Sequence, residues 1–403
     1  MNLIHRISVS LLFLFFALGL SAEFANGQVS KTESDSPTHT HIQTLVDEDV
    51  KGLVSIVGSE DGKFLYGACL GSKKLVTMSR DPKTGKVEVI DSIGELKGAV
   101  CLAISKDQKW VVFTSCQSSL VTLYSRDAKT GKLAEVSRQQ QGVDDGVKGL
   151  DFPIAITISP DSKFVYVSSP TGTGSLSAFA IKDGKLEFLQ AHEGAENCMK
   201  GARLLAVDPQ GEFLFVACCE SHCLTVFDRD IKNGHLRLLN YVSDGKEGNL
   251  LQGAHGVACS KDGRHLYVSS GRWGGDNGIT VFDILQREIL EPVQELEAGK
   301  ELNEFNAGNF IKISPDGKCV YATGAKSNDV LCLKRDAKSG RLKYLYDLSV
   351  DGNSDLGGMM ADVYISNDNR FVYAACEGKD NQLFVFERKL DKEAKPTKAK
   401  AKK

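Results

Sequence analysis

One short pattern occurs seven times along the chain at nearly constant spacing, and this repeat restricts the possible folds more than any other feature. In each copy a polar turn is followed by a strand of aromatic and β-branched residues. The second residues of the seven copies are Asp61, Asp107, Asp161, Gln210, Asp262, Asp316 and Asp368. Consecutive copies lie 46 to 54 residues apart when these numbers are subtracted. Repeats of this length with several strands each are typical of β-propellers.

Each repeat is long enough for four strands. An apolar strand precedes the turn, as in Ile154–Ser159, and an aromatic strand follows it, as in Phe213–Cys218. A third strand such as Leu224–Asp230 leads into a hairpin loop with glycine, which adopts left-handed backbone conformations easily. A fourth strand such as Lys185–Gln190 ends the unit. The pattern therefore predicts four-stranded antiparallel blades.

The seventh repeat ends early, because only the C-terminal tail follows the third strand at Gln382–Leu390. The segment His41–Glu48 precedes the first inner strand and is predicted to complete this last blade. Such a closure would leave no unpaired sheet edge. The expected fold is all-β: one seven-bladed β-propeller over residues 40–390, closed by an N-terminal strand.

The first 27 residues have the pattern of a signal peptide. A positively charged start precedes the apolar run Leu11–Leu20, and small residues follow it. The run is too short to span a bilayer as a helix. Cleavage is expected after Gly27, with Ala22 as the alternative. The mature protein is therefore predicted to be exported to the periplasm or the extracellular space, with no transmembrane segment after cleavage.

Two further segments lie outside the predicted propeller. Residues 28–39 are expected to be a flexible N-terminal segment, and residues 391–403 a disordered tail rich in Lys and Ala, because neither has an apolar period that could join a core. The whole chain has a formal net charge of −3. No nucleic-acid partner is therefore expected, and the protein is predicted to be a monomer.

The 11 cysteines do not have the spacing of a zinc site, and no calcium-loop motif is present. No metal or other cofactor is therefore predicted. Disulfides are permitted in an exported protein. Cys198 is expected to pair with Cys219 or Cys223, and an odd count leaves at least one cysteine without an intramolecular partner.

Polar residues at one inner-strand position occur in three consecutive blades. They lie seven residues before the turn, at Arg203, His255 and Asn309. Inner strands surround the propeller axis, so these side chains are expected to face one side of it. Arg offers a planar fork for carboxylate or phosphate, and His offers acid–base chemistry. The alternative is three polar residues satisfied around a watery channel.

Two other features suggest ligand binding. A Lys-Gly pair occurs at or near the start of the first four inner strands, at Lys51, Lys97, Lys148 and Lys200. These lysines either form a cationic arc that attracts an anion or are solvated residues beside a glycine turn. Trp273 lies in the glycine-rich loop Ser269–Gly278, where its ring could stack on a flat ligand or a sugar.

The repeat units resemble a known family. "SPDSKFVYVSS" and "SPDGKCVYATG", followed elsewhere by "VFDRDIKNGHL", resemble the seven-bladed lactonases, which include 6-phosphogluconolactonases and carboxymuconate-cyclising enzymes, and also the YVTN-type surface propellers. By this resemblance Arg203 falls on a family arginine, and Glu220 lies one residue after a family glutamate. Lys326 lies beside the position matched to a further arginine. The family histidines of blade three are replaced in Phe152-Pro153-Ile154.

Two functions remain open from the sequence. The first is hydrolysis of a sugar lactone or similar anionic lactone. Arg203 and Lys326 would then stabilise the oxyanion, and His255 or Glu220 would act as the base. The second is a non-catalytic binding or scaffold propeller in the periplasm or at the cell surface, whose partner is a surface protein or a polysaccharide.

Overall fold

The computed structural model describes residues 37–194, 198–245, 250–272, 274–285, 289–378 and 382–389. Within them the chain forms seven four-stranded antiparallel sheets, one for each repeat, which confirms the predicted seven-bladed propeller. The helical elements of the described residues are two short 3-10 turns, Glu48–Val50 and Cys116–Ser118. No helix within the described ranges is long and apolar enough to cross a membrane. The predicted signal peptide, the C-terminal tail and Trp273 lie outside the described residues.

The first three blades follow the chain from the inner to the outer strand. Blade one comprises β2 (Leu53–Gly58), β3 (Phe64–Cys69), β4 (Lys74–Arg80) and β5 (Val87–Ile93). Blade two comprises β6 (Ala99–Ile104), β7 (Trp110–Ser115), β8 (Leu120–Arg126) and β9 (Leu133–Gln140). Blade three comprises β10 (Ala155–Ile158), β11 (Phe164–Ser169), β12 (Ser175–Lys182) and β13 (Lys185–Glu193).

The next three blades repeat this order, and the seventh takes its outer strand from the start of the chain. Blade four comprises β14 (Ala202–Val207), β15 (Phe213–Cys218), β16 (Cys223–Arg229) and β17 (Leu236–Ser243). Blade five comprises β18 (Gly256–Cys259), β19 (His265–Ser269), β20 (Gly278–Leu285) and β21 (Ile289–Glu297). Blade six comprises β22 (Gly308–Ile313), β23 (Cys319–Gly324), β24 (Asp329–Arg335) and β25 (Leu342–Asp347). Blade seven comprises β26 (Met360–Ile365), β27 (Phe371–Cys376), β28 (Gln382–Lys389) and β1 (Thr38–Val46).

The ring is closed by β1, which pairs antiparallel with β28 along its whole length. This pairing confirms the predicted N-terminal closure. The strand occupies Thr38–Val46 rather than His41–Glu48, so it begins inside the segment 28–39 that was expected to be flexible. His39 explains the earlier start, because its ring nitrogens lie 2.7 Å from the hydroxyl of Tyr346 and 2.9 Å from that of Tyr321.

The recurrent turn aspartate caps its own turn. In blade one the Ser59 hydroxyl donates to Asp61 at 2.6 Å, and the amide of Lys63 donates to the same carboxylate at 3.1 Å. Blade four has Gln210 at this position, and Asp208 takes over the capping there by accepting hydrogen bonds from the amides of Gln210 and Phe213. The turn is therefore capped in the same way in both blades although the residues differ, because an aspartate accepts the turn amides in each.

The hydrophobic core is a ring of seven clusters, each between two neighbouring blades. Tyr166 of blade three and Phe227 of blade four, for example, are buried in one cluster. At the centre, the inner strands of all seven blades line a narrow cavity of about 60 Å³. Lys312 and Asp362 are charged residues in this axial cavity, and their side chains approach to 3.7 Å.

Candidate functional site

A cleft of about 660 Å³ opens on blades four and five, at the face of the propeller where the inner strands begin. Its lining comes from the start of β14, the turn after β15, the approach to β18 and the loop after β19. These elements meet because adjacent antiparallel strands bring the end of one beside the start of the other. The lining residues are Arg203, Cys219, Glu220, His222, Gln252, Arg272, Gly274 and Gly275.

Arg203 enters the cleft from the beginning of β14. The pairing of β14 with β15 is irregular between Ala202 and Leu205, and such a bulge redirects the side chains beside it. The half-buried guanidinium donates a hydrogen bond from Nε to Sγ of Cys219 at 3.5 Å. Arg203 therefore lines the cleft, while its neighbours Leu204 and Leu205 line the axial cavity that Arg203 was expected to face.

The turn after β15 brings Cys219 and Glu220 to the cleft. The amide of Cys219 donates to the carbonyl of Gly201 at 3.0 Å, and the amide of Glu220 donates to that of Lys200 at 3.3 Å. Gly201 has φ +66°, and a Cβ there would lie 2.7 Å from Sγ of Cys219. Glycine therefore permits this turn to approach β14. Glu220 is exposed in the cleft, so the structure brings it together with Arg203.

The four lysines of the predicted arc do not line this cleft. All four side chains are exposed: Lys51, Lys97, Lys148 and Lys200. The feature that the Lys-Gly pairs share is the backbone conformation of the glycine. Each glycine has a positive φ, which lets the backbone pass close to a neighbouring segment. At Lys51, for example, the main-chain carbonyl accepts the amide of Ser72 at 3.0 Å.

His255 is buried beside the cleft rather than in its lining. It is only 6% exposed, and its Nδ1 has no hydrogen-bond partner among the described residues. Burial lowers the pKa of His255 well below its usual value, and the positive charges of Arg203 and Arg272 lower it further. The imidazole is therefore neutral near pH 7. A base whose pKa is so low is weak, so Glu220 is better placed than His255 to take a proton.

Asn309 and Lys326 lie away from the cleft lining. The amide of Asn309 is buried and donates from Nδ2 to the carbonyl of Met360 at 3.2 Å, so it joins the inner strands of blades six and seven. Lys326 is exposed in the loop after β23. The geometry does not support the predicted role of Lys326 in stabilising the oxyanion, because Lys326 does not line the cleft. The second cation beside Arg203 is instead a guanidinium from blade five.

That second guanidinium is Arg272, in the loop after β19. It is half-buried, and its Nη2 lies 3.6 Å from Sδ of Met359. Burial lowers the pKa of Arg272, while the negative charge of Glu377 opposes this change. Glu377 follows β27, and burial raises the pKa of its carboxyl against the opposing charge of Arg272. The sequence signal for Arg272 was the glycine-rich loop that also carries Trp273.

The rim of the cleft is acidic on the blade-five side. The amide of Gln252 donates to Asp244 at 3.1 Å and to Asp276 at 2.9 Å, and the amide of Gly253 donates to Nδ1 of His222 at 3.1 Å. Burial raises the pKa of Asp276. These contacts hold the approach to β18 in place. Within the described residues no group of three or more His, Cys, Asp or Glu side chains could hold a metal ion.

All 11 cysteines are free thiols in the structure. The expected pairing of Cys198 with Cys219 or Cys223 is therefore not formed. Sγ of Cys223 donates instead to the carbonyl of Cys198 at 3.1 Å, and Cys219 contacts Arg203. Cys218 lies directly opposite Cys223 across the β15–β16 pair, a neighbouring pair of thiols that the sequence alone did not predict.

The fold and the site together define the class of this protein. It is a seven-bladed propeller with an arginine-lined cleft at one face. The chain belongs to the family described as lactonase, 7-bladed beta-propeller, whose model matches residues 20–148, 139–252 and 243–356. This confirms the resemblance drawn from the repeat units. A search of curated proteins finds no match.

Solved structures share the fold at low sequence identity. The periplasmic gluconolactonase of Pseudomonas aeruginosa is 19% identical, with a TM-score of 0.67 over 81% of this chain and 92% of that one. A candidate 6-phosphogluconolactonase from Bacteroides uniformis is 22% identical, with a TM-score of 0.60 over 73% and 85%. Hydrazine synthase of Kuenenia stuttgartiensis is 17% identical, with a TM-score of 0.65 over 91% and 100%. These likenesses concern the fold alone.

Proposed function

We propose that this protein hydrolyses a sugar lactone or a similar anionic lactone in the cleft of blades four and five. One observation carries the proposal: two guanidiniums, Arg203 and Arg272, line a single cleft of about 660 Å³ together with the carboxylate of Glu220. Membership of the lactonase family supports the reaction class. The substrate itself is inferred from the charge and size of the cleft.

The chemistry follows from what each side chain can donate or accept. Opening a lactone places negative charge on the carbonyl oxygen, and fixed cations aimed at that oxygen stabilise the transition state. Arg203 and Arg272 are the cations of the cleft. The exposed carboxylate of Glu220 is the group that accepts a proton from the water entering the product, and it can return that proton to the ring oxygen as the ring opens.

The partly buried setting of Arg272 adds to this effect. Burial disfavours its charged form, so an anion in the cleft compensates for lost solvation and is bound more strongly than at the surface. The carboxylates of Asp244 and Asp276 both accept the amide of Gln252, which lines the cleft, and they would repel an anion. A lactone whose anionic group points toward the arginines and away from these carboxylates is the expected ligand.

The test is hydrolysis of δ-gluconolactone and a panel of sugar and aliphatic lactones, followed by pH-stat with the spontaneous rate subtracted. Arg203→Ala and Arg272→Ala are each expected to lower kcat roughly 100- to 1,000-fold, the usual cost of removing one oxyanion donor. Arg138→Ala, at an exposed pair with Glu135 on β9, is the matched control and should leave the rate unchanged. Equal rates in all variants, or no rate above background, would favour a non-catalytic binding propeller.

We also propose that the protein acts outside the cytoplasm after removal of residues 1–27. The support is the charged start, the short apolar run and the small residues of the sequence. N-terminal sequencing of the protein recovered from the periplasm or medium should begin at Gln28. Recovery of an uncleaved chain from the cytoplasm would contradict this.

A further inference from the structure

Glu377 of blade seven lies beside the arginine that blade five contributes to the cleft. It follows β27, and its side chain is half-buried. The main-chain amide of Glu377 donates to the carbonyl of Met359 at 2.8 Å. Sδ of Met359 in turn lies 3.6 Å from Nη2 of Arg272, which lines the cleft. Arg272 therefore reaches from blade five to the part of blade seven that carries Glu377.

Two glycines hold the segments of Glu377 and Met359 close together. Gly358 precedes Met359, and Gly378 follows Glu377. A Cβ at Gly358 would lie 2.9 Å from Cα of Gly378, so the two backbones pass each other with no room for a side chain between them. The backbone of Glu377 is therefore fixed beside the residue that Arg272 contacts.

The charges of Arg272 and Glu377 act on each other. Burial lowers the pKa of Arg272, the negative charge of Glu377 opposes this change, and the positive charge of Arg203 adds to it. Burial raises the pKa of Glu377, and the positive charge of Arg272 opposes that change. The two cleft guanidiniums repel each other, and Glu377 is a carboxylate that compensates the charge of Arg272 from outside the cleft lining.

This compensation limits the charge that a ligand of the cleft can carry. Arg203, Arg272 and the exposed carboxylate of Glu220 together leave one positive charge in the lining, and Glu377 offsets it. A ligand with two negative charges would leave charge uncompensated in a partly buried site, which is costly. We infer that Glu377 is a specificity-determining residue, which makes the cleft select a lactone with at most one negative charge over a phosphorylated one. This inference rests on the proposed lactone hydrolysis and narrows its substrate class.

The first experiment varies the charge of the ligand and needs no turnover. Glucitol, gluconate and glucarate are six-carbon polyhydroxy compounds with no, one and two carboxylates, and their binding to the full chain is measured by calorimetry at low ionic strength. Coulomb energy is proportional to the charge of the ligand. Glu377→Gln should therefore leave glucitol binding unchanged, strengthen gluconate binding roughly 3- to 10-fold, and strengthen glucarate binding by the square of that factor. A merely structural role would change all three alike.

Two control variants separate the charge of Glu377 from its shape and from the net charge of the protein. Glu377→Asp keeps the carboxylate and should retain the wild-type order of the three ligands. Glu135→Gln removes an exposed carboxylate on β9 and should leave all three affinities unchanged. Equal changes for the three ligands in Glu377→Gln, unchanged affinities, or binding of none of them would overturn the inference. Tighter binding of glucarate than of gluconate by the wild type would also overturn it.

The second experiment looks for the same charge dependence in turnover. Glucono-δ-lactone and its 6-phosphate are compared by pH-stat, and the wild type should have the higher kcat/KM for the unphosphorylated lactone. Glu377→Gln should shift the ratio toward the phosphorylated lactone roughly 10-fold or more, mainly through a lower KM. An unchanged ratio would overturn the role of Glu377 and leave the proposed hydrolysis intact. Charge-dependent binding without turnover would support the role of Glu377 and reject the hydrolase.

Discussion

Nε of Arg229 donates a hydrogen bond to the hydroxyl of Tyr166 at 2.7 Å, and this contact joins blade four to blade three. The same guanidinium reaches Asp161 from Nη2 at 3.0 Å and the carbonyl of Gly211 from Nη1 at 2.7 Å. The arginine ends the third strand of its blade, and the tyrosine and aspartate belong to the preceding repeat. Equivalent Arg–Tyr bonds recur between other blades, from Arg80 to Tyr373, Arg126 to Tyr66 and Arg335 to Tyr267.

The inter-blade arginines are expected to stabilise the ring. Arg229→Met keeps the aliphatic stem but removes three hydrogen bonds from a side chain that is 1% exposed. The expected loss in the free energy of unfolding is about 1.5–3 kcal/mol, typical of hydrogen bonds to a charged group, and it should appear as a lower thermal midpoint. Arg237→Met is the control, because its pair with Asp228 is exposed and is worth about 0–1 kcal/mol. Equal shifts in both variants would contradict the prediction.

His39 is expected to make ring closure sensitive to acid. Burial lowers the pKa of His39 from its ordinary 6.5 to about 3, and Arg388 adds to this. The unfolded chain therefore binds a proton at this residue at a higher pH than the folded chain does. Stability from the neutral His39 is complete above about pH 6.5 and falls as the pH decreases toward 3, by up to about 1.4 kcal/mol for each pH unit.

The measurement is the thermal midpoint from pH 7.5 to 4.5. His39→Gln should lower the midpoint at pH 7.5, because the bonds to Tyr321 and Tyr346 change, and should flatten its decline in acid. The remaining slope should reflect the carboxylates and His255, whose pKa is also lowered by burial. The exposed His235→Gln serves as the control. A decline as steep in His39→Gln as in the wild type would exclude this origin.

The repeat made the fold predictable, because the spacing of Asp61 and its six counterparts follows the chain and needs no knowledge of distant contacts. Arg203 and Glu220 could be placed near each other for the same reason, since both lie in one blade. Arg272 and Glu377 could not, because they come from blades five and seven and meet only when the ring has closed. An Arg-Asp pair recurs at the end of third strands, as in Arg80-Asp81 and Arg229-Asp230, but the tyrosine that each arginine bonds lies in another repeat.

The lysine arc is a pattern that is plain in the sequence but has a cause other than ligand binding. Lys51 and its counterparts recur because the glycine after each one is needed for a left-handed turn, and the lysine itself is exposed. A periodic charge therefore indicated backbone geometry rather than a ligand site. Cys219 was read as a disulfide candidate, since sequence order does not reveal that its thiol contacts Arg203.

The axial ion pair is expected to matter more at high pH. Asp362 is 1% exposed and lies 3.7 Å from the ammonium of Lys312. Burial raises the pKa of Asp362, while Lys312 and the amide of Ile56 oppose this. Lys312→Met removes the cation and raises that pKa further, so folding should lose stability as pH increases and Asp362 ionises. The loss at pH 8 should be about 1 kcal/mol, since Lys312 is partly exposed, and smaller at pH 5.

A second variant isolates the buried carboxyl. Lys312→Met combined with Asp362→Asn should show no such dependence on pH, because the titrating group is gone. Thermal midpoints of both variants at pH 5, 6.5 and 8 give the comparison. If the single and double variants respond alike to pH, the axial pair is not the source.

The turn that holds Cys219 and Glu220 should depend on the missing side chain of Gly201. A Cβ at this position would lie 2.7 Å from Sγ of Cys219 and 2.8 Å from the amide of Glu220, in a backbone with φ +66°. Gly201→Ala should therefore displace the turn that carries Glu220 and lower lactone turnover. Gly245→Ala is the matched control: its φ is +68°, but its Cβ would meet nothing within 4 Å. Both variants bear the same left-handed strain, about 1 kcal/mol. Similar thermal midpoints with activity lost only in Gly201→Ala would therefore locate the function in this contact. Equal activity in the two variants would place it elsewhere.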